Sequence, residues 1–83
     1  SLKNQPLPHD MAVFGEVGLS GEIRSVPNAQ ERIKEAQKNG FKTVVIPKMN
    51  QPKQPIESMN VIAVEYLYQV LQAVFENDAL VVN

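Results

Sequence analysis

Apolar positions fall into five groups along the chain, and their spacing assigns an element to each. Met11-Ala-Val-Phe-Gly-Glu-Val17 has the apolar and aromatic content of a strand. Gly18 to Gly21 supplies a turn, and Gly21-Glu-Ile-Arg-Ser-Val26 alternates, with Ile23 inward and Glu22 and Arg24 outward. Together they predict a hairpin. Pro27-Asn28 opens a helix, with Asn28 as N-cap and Glu31 three residues on, the spacing of a capping box. Ala29, Ile33 and Ala36 form its apolar stripe, with Glu31, Lys34, Glu35 and Lys38 opposite. Asn39-Gly40 ends it.

Thr43-Val-Val-Ile-Pro47 is apolar at nearly every position, a pattern that suits a strand buried on both faces and paired in parallel. Residues 48–58 contain Pro52 and Pro55 among polar residues and read as a loop. Val61-Ile-Ala-Val64 is a second apolar strand. Leu67, Val70, Leu71 and Val74 then recur at helical spacing, which predicts a helix from about Tyr66 to Phe75. Residues 1–10, with Pro6 and Pro8, read as an extended lead-in, and 11–76 as the folded part. Residues 77–83 form a tail whose apolar Ala79-Leu-Val-Val82 frays, adds a strand to a neighbouring chain or docks on a further part of the domain. The fold class is α/β, with a hairpin followed by β-α-β-α and short buried strands.

Eighty-three residues make one small domain or part of one. A chain of this length buries only about 60–65% of its unfolded surface, so its stability margin is thin. Because the chain has no cysteine, it forms no disulfide and offers no thiolate. No apolar run approaches the roughly 18 residues of a membrane span, so no membrane partner is expected.

The net charge of −1 conceals an asymmetry. Residues 24–53 hold Arg24, Arg32, Lys34, Lys38, Lys42, Lys48 and Lys53 against Glu31 and Glu35. Residues 54–83 hold Glu57, Glu65, Glu76 and Asp78 with no basic residue. A basic middle between acidic flanks suits a nucleic-acid-facing surface, with Arg24, Arg32, Lys34, Lys38 and Lys42 as the candidate phosphate contacts. The same charges also suit a solvated helix face, because Glu31 pairs with Lys34, and Glu35 with Lys38, at i, i+3 spacing.

Other chemistry is sparse. His9 beside Asp10 is too few ligands for a metal site, and no phosphate-cradling Gly-rich loop ending in Lys and Ser or Thr occurs. Ser20 or Ser25 with Lys34 is the one conceivable nucleophile–base pair, and Lys34 belongs to the solvent side of its helix. Ser20, Ser25 and Ser58 read as turn or surface residues. Tyr66 and Tyr68 read as helix-surface packing residues, with Tyr68 outward.

Gly15-Glu16, Leu19, Gly21, the helix with Glu31, Gly40 and the strand ending at Pro47 together resemble the frame of Lon-type peptidases. Val26-Pro-Asn-Ala-Gln-Glu-Arg32 resembles the Val-Pro-x-x-Gln-Glu-Arg run of the RadA (Sms) family of bacterial DNA repair proteins, whose C-terminal domain is Lon-like. The resemblance implies that the Lon lysine, which acts as base for a serine, falls on Gln30, while Pro27 and Asn28 replace the paired glycines before it. The nucleophilic serine falls upstream of residue 1. A carboxamide has no useful basicity near neutral pH, so no catalytic residue is expected in the chain.

The resemblance further implies an accessory domain of a cytoplasmic, ATP-dependent repair and recombination protein. That protein assembles with itself as a hexamer and acts on DNA in branch migration. ATP, magnesium and zinc would belong to its upstream domains, with no cofactor or metal in this chain. Two other readings stand beside it: a fragment of a Ser-Lys peptidase, and a plain α/β interaction module without DNA contact.

Overall fold

The computed structural model describes residues 10–82, with side chains through Glu76. The lead-in over residues 1–9 and its His9 lie outside the described residues. The elements in order are β1 (Met11–Val13), β2 (Glu16–Val17), β3 (Ile23–Arg24), α1 (Ala29–Lys38), β4 (Thr43–Pro47), β5 (Asn60–Val64) and α2 (Leu67–Val82), with a 3-10 turn at Lys48–Asn50 between β4 and β5.

β4 is the central strand of a three-stranded sheet of order β1-β4-β5, parallel to both neighbours. Its five residues are all buried, as the unbroken apolar run predicts, because helices cover both faces of a parallel sheet. On one face Ile33 and Ala36 of α1 pack on Val44 and Ile46. On the other, Val70 and Ala73 of α2 and Ile23 of β3 pack with Met11, Val13, Val45 and Val64. Alternation along β4 sends Val44 and Ile46 to α1 and Val45 to α2. The chain is therefore a three-layer α/β/α unit, with the β2–β3 hairpin sharing the α2 layer.

Four expectations need correction. Met11–Val17 is not one strand. β1 belongs to the parallel sheet, Gly15 takes φ 153°, and β2 then pairs antiparallel with β3. Few residues other than glycine tolerate that φ, so the break falls there. Asn28 precedes α1 but makes no side-chain cap bond. It lies in the left-handed region (φ 58°, ψ 38°), and only its carbonyl enters the helix, accepting from the Arg32 N–H at 3.0 Å. The side-chain bond expected there instead appears on α2, where Gln69 Oε1 accepts from the Glu65 and Tyr66 N–H groups at 2.7 and 2.9 Å.

The apolar stripe of α2 is also rotated. Ala73, rather than Leu71, joins Val70 in the core, and Leu71 is exposed. Finally, α2 continues past Phe75 to Val82. No glycine or proline interrupts residues 67–82, so nothing local stops the helix. The C-terminus of α1 matches expectation. Gly40 takes φ 87°, its N–H donates to Gln37 O at 3.2 Å, and the Phe41 N–H donates to Ala36 O at 3.0 Å. These two bonds are the paired contacts of a Schellman motif.

Candidate functional site

The start of α1 lies where the hairpin hands the chain back across the sheet. Val26 is buried, and the side chain of Asn50, in the turn after β4, holds its backbone. The Val26 N–H donates to Asn50 Oδ1 at 2.8 Å, and Asn50 Nδ2 donates to Val26 O at 3.2 Å. One carboxamide thus mimics a strand neighbour and ties the linker to the turn after β4. Two neutral bonds of this kind contribute about 1–3 kcal/mol together.

Just beyond this clamp, Gln30 is exposed in the first turn of α1. It lines an open groove of about 830 Å³ with Val26, Asn28, Glu31 and the loop Met49–Ile56. The groove sits at the carboxyl end of β4, where open α/β sheets generally receive ligands. Its lining is rich in carboxamides: Asn28, Gln30, Asn50, Gln51 and Gln54. These groups donate and accept hydrogen bonds but neither take a proton nor attack a carbonyl near neutral pH. Glu31 and Lys53 are the charged members.

The Ser20–Lys34 pair is not assembled. Ser20 occupies the turn of the hairpin, in the α2 layer, where its N–H donates to Glu22 Oε1 at 3.0 Å. Lys34 is exposed on α1, over the opposite face. Ser25 and Ser58 are exposed. Among the described residues no group of three or more His, Cys, Asp or Glu side chains could hold a metal ion.

The five candidate cations divide between the layers, and all are exposed. Arg24 lies on the hairpin, where its Nη2 and Nε meet Glu22 Oε2 at 3.2 and 3.3 Å. The Glu22 carboxyl is held below the usual carboxylate range. The hydrogen bond from its own backbone N–H is the main cause, followed by the Arg24 guanidinium and the Ser20 N–H. Arg32 flanks α1 on the β1 side, donates from Nε to Pro27 O at 3.1 Å, and borders a groove with Ala12, Phe14, Glu35 and Phe41. Lys34 and Lys38 stand four residues apart on the outer side of α1. Lys42 immediately precedes β4, beyond the same end of α1 as Lys38.

Arg32, Lys34, Lys38 and Lys42 thus lie in or just after α1, with Arg32 on its β1 side and Lys34 and Lys38 on its outer side, whereas Arg24 lies on the hairpin in the α2 layer. Lys48 is a further cation, 3.9 Å from Glu65 at the carboxyl ends of β4 and β5. Sequence reading missed the clamp by Asn50. Nothing local marks that asparagine, because its partner lies 24 positions away.

Comparison with known proteins places these features. The family model of the Lon protease (S16) C-terminal proteolytic domain matches residues 1–77. The chain is 59% identical over 76 residues to a protein of Pseudomonas aeruginosa called DNA repair protein RadA. It is 51% identical over 77 residues to the Escherichia coli protein of that name. Those matches cover 92% and 93% of this chain but only 17% and 16% of the relatives. The Lon protease of Vibrio parahaemolyticus is 32% identical over 84 residues, covering 94% of this chain and 11% of that protein.

Proposed function

The chain belongs to the Lon protease (S16) C-terminal proteolytic-domain family, and on that premise we propose that it is a non-catalytic accessory domain of a RadA-type DNA repair protein. The observation that carries this reading is the carboxamide of Gln30, exposed at the opening turn of α1 on the groove at the strand ends. The family resemblance puts a lysine base at that position. A side chain without a titratable nitrogen there leaves a serine with no proton acceptor.

The higher identity to the RadA proteins than to Lon supports the repair assignment. The parent protein is then a cytoplasmic ATPase acting in recombinational repair and branch migration. Its nucleotide, magnesium and zinc sites lie outside these residues. The domain supports assembly of like subunits, a hexamer in the parent, and adds cations that hold DNA through its phosphates. Arg32, Lys34, Lys38 and Lys42 make that contact, with Arg24 apart from them.

A serine-directed covalent probe on the full-length parent tests the catalytic half, and no labelling is the expected result. Labelling that survives Gln30→Ala but disappears with an upstream serine overturns it in favour of a Ser-Lys peptidase. Salt-titrated DNA binding tests the other half. Replacing Lys34, Lys38 and Lys42 by alanine should flatten the dependence of log affinity on log salt by about two to three. An unchanged slope supports an interaction module without DNA contact.

A further inference from the structure

Among the asparagines of the chain, only Asn39 precedes a glycine. The others precede Gln, Ala, Val or Asp, or end the chain. A side chain on the following residue crowds the approach of its backbone nitrogen to the asparagine Cγ, and glycine has none. Asn39 and Gly40 are both exposed, and the Asn39 carboxamide makes no hydrogen bond among the described residues.

The backbone nevertheless holds this pair away from reaction. Asn39 has φ −85° and ψ 7°, so the Gly40 nitrogen eclipses the Asn39 nitrogen and points away from Cβ. The Gly40 N–H donates to Gln37 O at 3.2 Å, and the Phe41 N–H donates to Ala36 O at 3.0 Å. To face Cγ, the Gly40 nitrogen has to turn about the Asn39 Cα–C bond. Both bonds of the α1 cap break as it turns.

We propose that Asn39 is a self-modification site, a deamidation gated by local opening of the α1 cap. In the opened cap hydroxide removes the Gly40 amide proton, and the nitrogen bonds to Asn39 Cγ. The Cγ–Nδ2 bond breaks, and Nδ2 takes a proton from water and leaves as ammonia, which restores the hydroxide. Water then adds to one carbonyl of the cyclic imide. The ring opens to an aspartate, or to an isoaspartate whose main chain runs through the former side-chain carboxyl. The reaction lies within one chain and consumes only water, so it needs no partner surface.

Both products act on α1. A carboxylate at residue 39 stands at the negative end of the helix dipole, next to Lys38, the basic residue of the last turn. The isoaspartate also lengthens the backbone between Gln37 and Phe41 by a methylene, so the two cap bonds no longer close together. Phe41 packs against the cluster of Ile33, Ala36, Val44 and Ile46. Loosening its cap therefore reaches the core on that face of the sheet.

The modification is read by mass, so its failure is distinct from failure of the repair reading. The folded 83-residue chain is held at mildly alkaline pH beside the same chain unfolded in urea, and peptide mass mapping follows amide turning to acid. In urea Asn39 should convert before any other asparagine, at a rate that rises with pH. In the folded chain it should convert about five- to a hundredfold more slowly, the rarity of an opening that breaks two neutral hydrogen bonds. Amide exchange at Gly40 and Phe41 should be protected by the same factor, since one opening frees both groups.

Phe41→Ala should speed conversion in the folded chain and leave the urea rate unchanged, because residue 41 lies outside the ring that forms. Conversion in urea that begins at another asparagine overturns the site. Equal rates in the folded and unfolded chains overturn the gate. So does folded-state conversion that follows the slower exchange of global unfolding rather than that of Gly40.

Discussion

Helices α1 and α2 pack on opposite faces of the same three strands, and their outer sides differ. α1 buries Ile33 and Ala36 and turns Glu31, Lys34, Glu35 and Lys38 to water. α2 buries Val70 and Ala73 and leaves Tyr68, Leu71 and Phe75 exposed. The first is an amphipathic helix completed by one sheet, with its polar side free for solvent or phosphate. The second has apolar surface in excess of what the sheet can cover. A chain with a thin stability margin does not hold such surface open at no cost. The contrast sets a charged outer side on α1 against an apolar outer side on α2.

The comparison breaks most visibly through the core. Ile33→Ala should cost about 2–5 kcal/mol in urea unfolding, because a nearly inaccessible side chain leaves a cavity against Val44 and Ile46. Phe75→Ala, which removes a larger side chain, should change monomer stability by no more than about 0.5 kcal/mol. Equal losses at the two sites would mean that the outer stripe of α2 is already satisfied within one chain.

The next effect is expected at the clamp. Asn50→Ala leaves the Val26 N–H and C=O without these partners and should destabilise by about 1–3 kcal/mol. Hydrogen exchange at the first turn of α1 should accelerate, while exchange in α2 stays unchanged. Equal acceleration in both helices would show that the clamp serves the whole fold rather than the α1 entry.

Smaller still is the effect of charge on α1. Lys34→Ala and Lys38→Ala should each leave unfolding free energy within about 0.5 kcal/mol. Any change in DNA affinity at constant stability then belongs to binding.

The smallest effect is on the hairpin of the α2 layer. Glu22 has its folded-state pKa lowered, chiefly by its own backbone N–H and then by Arg24. A depressed carboxylate contributes stability that is present above its unfolded pKa and is lost as pH falls through the folded value. Glu22→Gln should therefore lower stability slightly at neutral pH, leave it nearly unaffected below the folded pKa, and so flatten the acid limb of the profile. An unchanged acid limb would show that the hairpin contacts do not persist in solution.

Most of the element order was legible because it depends on near neighbours. The run Thr43–Pro47 has no polar side that could face water, and it became the central strand. Ile33 and Ala36 lie one helical turn apart, and both became core. Gly40 ended α1 because glycine adopts its positive φ without a Cβ penalty. The candidate site was only half legible. Gln30 and the cations of α1 could be placed on their helix, but the separation of Arg24 required knowing that β3 joins the α2 layer.

Composition and period alone determined which segments are strands or helices, and that the Gln30 side chain is an amide without a usable base. Tertiary structure alone decided that Met11–Val17 divides between two sheets, that α2 turns Ala73 rather than Leu71 inward, and that Asn50 holds Val26. Steric and periodic preferences act over a few neighbouring residues. Rotation of a helix on a sheet, or the reach of one amide across 24 positions, depends on contacts that exist only once the layers have closed.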